Sequence, residues 1–189
     1  MNSLIKFSHI VIALPEIFLA LWLLLFIPLG VYSGGSKLSR QSYFSIFSIL
    51  GLLGTFIIVL SGGERTATAF NDLIVVDRLV TYMKSLVLIT GILVLAISER
   101  YRNLEKLHVF EYPVLVLFSI LGMMIMISAN DFITLYMGLE LQSLSLYVLA
   151  AMKKDSRTSS EAGLKYFILG SIASGFLLFG VSLIFGITG

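Results

Sequence analysis

The chain has 189 residues, of which 58% are hydrophobic and 13% charged, with a mean hydropathy of +0.99; this excludes a soluble globular domain and indicates an integral membrane protein. It has no cysteine and two histidines, His9 and His108, which leaves no basis for a disulfide framework, thiolate metal binding, iron–sulfur ligation or paired haem ligation. The net charge of +2 falls in short loops between apolar runs, where it reports orientation in a bilayer and not affinity for nucleic acid.

A bilayer core of about 30 Å needs roughly 20 helical residues at 1.5 Å each, and runs of that order recur six times. The expectation is therefore an all-α integral membrane protein with six transmembrane helices in one domain over residues 1–189. The first run covers 10–32. Pro15 and Glu16 interrupt it, and a proline followed by an acid is a common helix start, so Glu16 reads as an N-terminal-turn carboxylate favoured by the helix dipole. The second run is 43–61. Residues 62–78 form the one sizeable extramembrane segment, and its "GGERT" has too few glycines at the right spacing to cradle a phosphate.

The third run, 79–97, carries Lys84 about five residues inside its outer end, within snorkelling reach of the headgroups. The fourth, 113–128, is the shortest. "SAND" separates it from the fifth, 131–152, and allows only a tight turn, so these two helices pair as an antiparallel hairpin. The sixth is 163–187. Its "GSIASGFLLFG" sets Gly170 four residues from Ser174 and Ser171 four from Gly175, a spacing that admits a close helix neighbour.

Loops after helices one, three and five hold Lys37 and Arg40; Arg100, Arg102 and Lys106; and Lys153, Lys154 and Arg157. The opposite side holds Lys6, Arg65 and Arg78. The odd loops therefore face the cytoplasm or matrix, and both termini the other side.

Glu140 stands apart from these charges. It lies nine residues from Asp131 and twelve from Met152, beyond the reach of a carboxylate from either interface. A charged acid at that depth costs at least ~2.5 kcal/mol, so an isolated one is more stable neutral. At 100° per residue, Tyr136, Glu140, Ser143 and Tyr147 fall within about 60° of one another, a polar stripe that lipid cannot face. Such a stripe either lines a buried hydrated path, with the acid as a proton relay, or binds a neighbouring helix by hydrogen bonds. Lys165 follows Glu161 by four residues on helix six, so it is either an interface anchor in an i,i+4 pair or a carrier. Counted from the inner face it lies about 12 Å shallower than Glu140, too far for direct pairing. Glu140 therefore calls for a cation that these six helices do not obviously contain.

The stretch 138–189, "GLELQSLSLYVLAAMKKDSRTSSEAGLKYFILGSIASGFLLFGVSLIFGITG", resembles subunit N (subunit 2) of the NADH-quinone oxidoreductases, respiratory complex I. "LPEIFLAL" at 14–21 and "GMMIMISANDF" at 122–132 are similar to the same family; the likeness is weaker between 33 and 78. It implies the first part of an antiporter-like membrane-arm subunit that contributes to proton translocation coupled to NADH oxidation and quinone reduction. It further implies that Glu140 is a functional carboxylate coupled to lysines on a hydrophilic axis, and that Lys165 matches a family lysine.

The family has about fourteen helices, with further lysines on helices seven and twelve that lie past Gly189. The resemblance thus implies partners among the other membrane-arm subunits, a second chain carrying the remaining helices, and membrane lipids, with no nucleic acid. It implies no cofactor in this chain; FMN, iron–sulfur clusters and quinone belong elsewhere in the complex. A split gene of this kind suggests the mitochondrial inner membrane, with the bacterial plasma membrane as the alternative. The rival functions are a subunit of a multisubunit sodium/proton antiporter and a scaffold without transport.

Overall fold

The computed structural model describes residues 9–32, 37–62, 66–104, 110–153 and 155–188. Lys6, Arg65, Lys106, His108 and Lys154, which entered the charge and histidine readings, lie outside the described residues. Six helices follow in order: α1 (Leu14–Tyr32), α2 (Lys37–Ser61), α3 (Arg78–Leu104), α4 (Glu111–Ser128), α5 (Phe132–Ala150) and α6 (Arg157–Thr188). Each is long and apolar enough to cross a membrane.

Three helices outrun their apolar stretches. α2 starts at Lys37 instead of 43, α3 runs to Leu104 instead of 97, and α6 starts at Arg157 instead of 163. Hydropathy marks the hydrocarbon crossing, whereas the backbone hydrogen-bond ladder continues through flanking polar residues. α1 starts later than its apolar run. Helical residues 9–12 break at Ala13, next to Pro15, which has no N–H to donate.

α4 is the most enclosed helix, with 56% of its span buried. Its Val114, Leu117, Ile120, Leu121 and Met124 meet Leu19, Leu23 and Phe26 of α1, Phe44 and Leu52 of α2, and Leu88 and Leu95 of α3 in one continuous core. α4 and α5 form the antiparallel hairpin. Asp131 caps α5 by accepting from the Thr134 N–H at 2.6 Å and the Thr134 hydroxyl at 2.9 Å, which satisfies orphan donors of the first turn. The two helices cross backbone to backbone at Gly122 and Gly138. A Cβ on Gly122 would stand 2.6 Å from the Gln142 nitrogen, and one on Gly138 would stand 2.7 Å from the Met126 nitrogen. This crossing fixes the rotation of α5, and with it the direction of the polar stripe.

The 62–78 segment departs from the all-helical expectation. β1 (Ala67–Ala69) pairs antiparallel with β2 (Ile74–Val76), with Thr68 opposite Val75. Phe70, Asn71 and Asp72 take φ of 56°, 56° and 65°, which is unusual without glycine. Tertiary bonds hold this tip. Asn130 donates through its backbone to the Leu73 carbonyl at 2.9 Å and through Nδ2 to the Asp72 carbonyl at 2.8 Å. The Phe70 N–H donates to His9 Nδ1 at 3.1 Å. The hairpin thus ties the start of the chain to the α4–α5 turn, over the end of the bundle opposite the Lys/Arg-rich loops.

Candidate functional site: two carboxylates within the helices

The stripe on α5 meets α6. The Ser174 hydroxyl of α6 donates to Glu140 Oε1, and the Tyr136 hydroxyl lies 3.0 Å from the same Ser174 oxygen. With the serine proton committed to the carboxylate, Tyr136 donates in turn, giving a chain Tyr136 to Ser174 to Glu140. Tyr147 packs edge-on against Tyr166, with centroids 4.8 Å apart, and against Phe167 at 5.7 Å. Its ring lies so close over Gly170 that no Cβ would fit there. This gives the small residues of α6 a specific use: Gly170 admits a tyrosine and Ser174 supplies a hydroxyl. Ser143 is half-buried on α5 between them.

Among the described residues no cation pairs with Glu140. Lys165 bonds Glu161 at 2.6 Å, with side chains 70% and 56% exposed, the i,i+4 pair that spacing allowed. α6 has no buried residue in its most apolar stretch, so its outward face and the half-buried Glu140 lie at the open side of the bundle.

The second carboxylate corrects two readings. Glu16 is in the first turn of α1, but it does not rest at the interface as a dipole-stabilised acid. Its Oε1 bonds Lys84 Nζ of α3 at 2.5 Å, with side chains 9% and 3% exposed, and accepts from the Ser128 hydroxyl of α4 at 3.2 Å. Lys84 therefore does not snorkel. Two ions taken out of water need each other and further hydrogen bonds; three helices supply the ion pair and the Ser128 bond, both at Oε1, and leave Oε2 without a partner among the described residues. The five residues between Arg78 and Lys84 suggested a short climb to the headgroups. The signal that could have corrected it was mutual: an acid and a base at similar depth on two helices.

Arg102 is a further buried cation, 1% exposed at the far end of α3. Its Nη2 donates to the Ser45 hydroxyl at 2.6 Å, and the guanidinium lies 4.8 Å from the Tyr112 ring centroid. It was expected as a loop charge. The extra turns of α3 carry it inside, where it links α2, α3 and α4. Among the described residues no group of three His, Asp or Glu side chains could hold a metal ion.

Residues 129–189 match the family model described as "NADH:quinone oxidoreductase/Mrp antiporter, TM". Over 98% of its length the chain is 51% identical to the NADH-quinone oxidoreductase subunit N of Paramagnetospirillum magneticum, covering 38% of that protein. For the same subunit of Pelagibacter ubique the values are 46% identity, 93% and 37%. The chain thus spans under two-fifths of the length of these relatives. Among solved structures, the respiratory complex I of Thermus thermophilus with bound aureothin contains a chain 26% identical, with a TM-score of 0.76, over 93% of this chain and 37% of that one. The archaeal membrane-bound sulfane sulfur reductase shares the fold at a TM-score of 0.68 over 97% of this chain and 38% of that one, with 24% identity.

Proposed function

This chain belongs to the subunit N family of NADH-quinone oxidoreductases, and from that premise we propose that it serves as an antiporter-like membrane-arm subunit of a proton-pumping NADH:quinone oxidoreductase. The observation that carries the reading is the hydroxyl chain from Tyr136 through Ser174 to Glu140. A carboxyl that can hold or release a proton on such a chain is a relay element. Quinone reduction elsewhere in the complex shifts the electrostatic balance along the membrane arm, and Glu140 answers by changing its protonation or its pairing. Flavin, iron–sulfur clusters and quinone act in other subunits.

The partners are other membrane-arm subunits and lipid, together with lysine-bearing helices that pack on the open side of α5 and α6 and bring a cation to Glu140. Lys165 joins that axis when those helices displace Glu161. The bacterial relatives favour the plasma membrane of a bacterium over the mitochondrial inner membrane. A sodium/proton antiporter subunit is the second reading, favoured only by the breadth of the matching family model; co-purification with a flavin-containing peripheral arm separates the two.

Glu140→Gln in the assembled complex is expected to leave NADH oxidation by artificial acceptors intact and to depress coupled turnover and proton pumping. Unchanged pumping with normal assembly would end the relay role.

A further inference from the structure

A cleft of about 550 Å³ opens between α1, α2, α3 and the β hairpin, lined among others by Pro15, Val59, Ser61, Val76, Thr81 and Lys84. The exposed Ser61 and Gly62 line it, at the end of the bundle that the charge pattern places outside. Its most buried polar lining residue is Lys84, 2% exposed, which holds Glu16 behind it. Among the described residues Glu16 Oε2 is buried with no hydrogen-bond partner. A buried carboxylate oxygen without a donor is costly, and a water molecule is the smallest group that supplies one.

We propose that this cleft is a hydrated vestibule through which the Lys84–Glu16 pair exchanges protons with the outer aqueous phase, a site separate from Glu140. A proton passing from the Lys84 ammonium to the Glu16 carboxylate leaves an amine and an acid with no change in net charge. A hydronium ion from the cleft then reprotonates the amine and the acid gives its proton to cleft water, regenerating the ammonium, the carboxylate and hydronium; alternatively the acid returns its proton to the amine. Lys84 is the charged group in contact with Glu16, and Ser128 faces it from α4. Of the other titratable groups described at this end, Asp77 accepts from the Val80 N–H at 2.7 Å, Asp131 from Thr134, and His9 from Phe70, while the Asp72 side chain is exposed at the hairpin tip.

These 189 residues contain no cysteine, so a thiol introduced here is located by mapping the labelled peptide after treatment of the intact complex in its native membrane. Lys84→Cys in a Glu16→Gln background, and Val59→Cys separately, are treated with a membrane-impermeant cationic thiosulfonate from the outer side. Ser61→Cys marks the exposed part of the lining, and Leu93→Cys, exposed on α3, marks the lipid-facing surface. Labelling at positions 84 or 59 well above the Leu93→Cys rate is expected. Labelling of Ser61→Cys with both deep positions at the lipid rate overturns the vestibule, whatever Glu140 does.

Proton exchange is read with Glu16→Gln/Lys84→Met, normalised to NADH oxidation by an artificial acceptor. A loss of pumping is expected. Undiminished pumping in the assembled variant overturns exchange and leaves the pair a brace. The pumping measurement rests on the membrane-arm reading; the labelling does not.

Discussion

Glu16 and Glu140 each place a carboxyl group inside an apolar helix, and their surroundings differ in almost every respect. Glu16 is closed in by α1, α3 and α4 and held by an ammonium and a hydroxyl. Glu140 is half-buried between α5 and α6 and held by a hydroxyl that is itself held by another. The first has its counter-charge within these helices, with one carboxylate oxygen left without a donor among the described residues, while the second is held by neutral groups and stands at the open edge of the bundle. The difference teaches that two carboxyl groups within apolar helices can be held in opposite ways, Glu16 by an ammonium already in place and Glu140 by hydroxyls alone.

The largest test of that contrast removes one partner from the paired site. Lys84→Met leaves the Glu16 carboxylate buried beside a thioether, and truncating one partner of a buried pair costs about 3–5 kcal/mol. Adding Glu16→Gln restores most of it, because a neutral pair carries no unpaired charge. Denaturant titration of the unsubstituted protein, Lys84→Met, Glu16→Gln and the double variant in mixed micelles measures the coupling as a double-mutant cycle. Additive losses would show that the two side chains do not stabilise one another and would remove the basis of the comparison.

A smaller effect is expected at the open site. Ser174→Ala removes the hydroxyl that joins Tyr136 to Glu140, and interhelical hydrogen bonds in membranes are worth about 0.6 kcal/mol each on average. The same titration should therefore show a loss of roughly 1 kcal/mol for the two bonds, with proton pumping in the assembled complex falling by more than that loss explains. A stability loss as large as that of Lys84→Met would mean that α6 is as firmly integrated as α3, and the contrast would fail.

The six crossings and the α4–α5 hairpin were legible in the sequence because hydropathy and one short turn determine them. The stripe on α5 was legible because a helix has a fixed period. The partner of the stripe was not: Ser174 had been read only as a small residue that permits approach, and its hydroxyl proved to be the contact. The Glu16–Lys84 pair was missed for a related reason. Each residue was weighed against its nearest interface, and pairing across helices depends on a packing arrangement that no single helix encodes. The β hairpin gave no glycine signal because Asn130 and His9, distant in sequence, hold its left-handed residues.

The smallest effect expected is at Lys165, and it decides how the family resemblance carries over to the open site. The lysine pairs with Glu161 on the helix surface, both side chains more than half exposed. An exposed i,i+4 pair stabilises by about 0.3–0.5 kcal/mol, so Lys165→Ala should shift stability by no more than that in mixed micelles. If Lys165 serves only as an anchor, pumping in the assembled complex follows that small change. If it belongs to the axis through Glu140, pumping falls while stability stays put, and Glu161→Gln, which frees the ammonium without removing it, leaves pumping intact. The divergence between the two variants, more than the size of either effect, separates a surface pair from a carrier held in reserve by its neighbour.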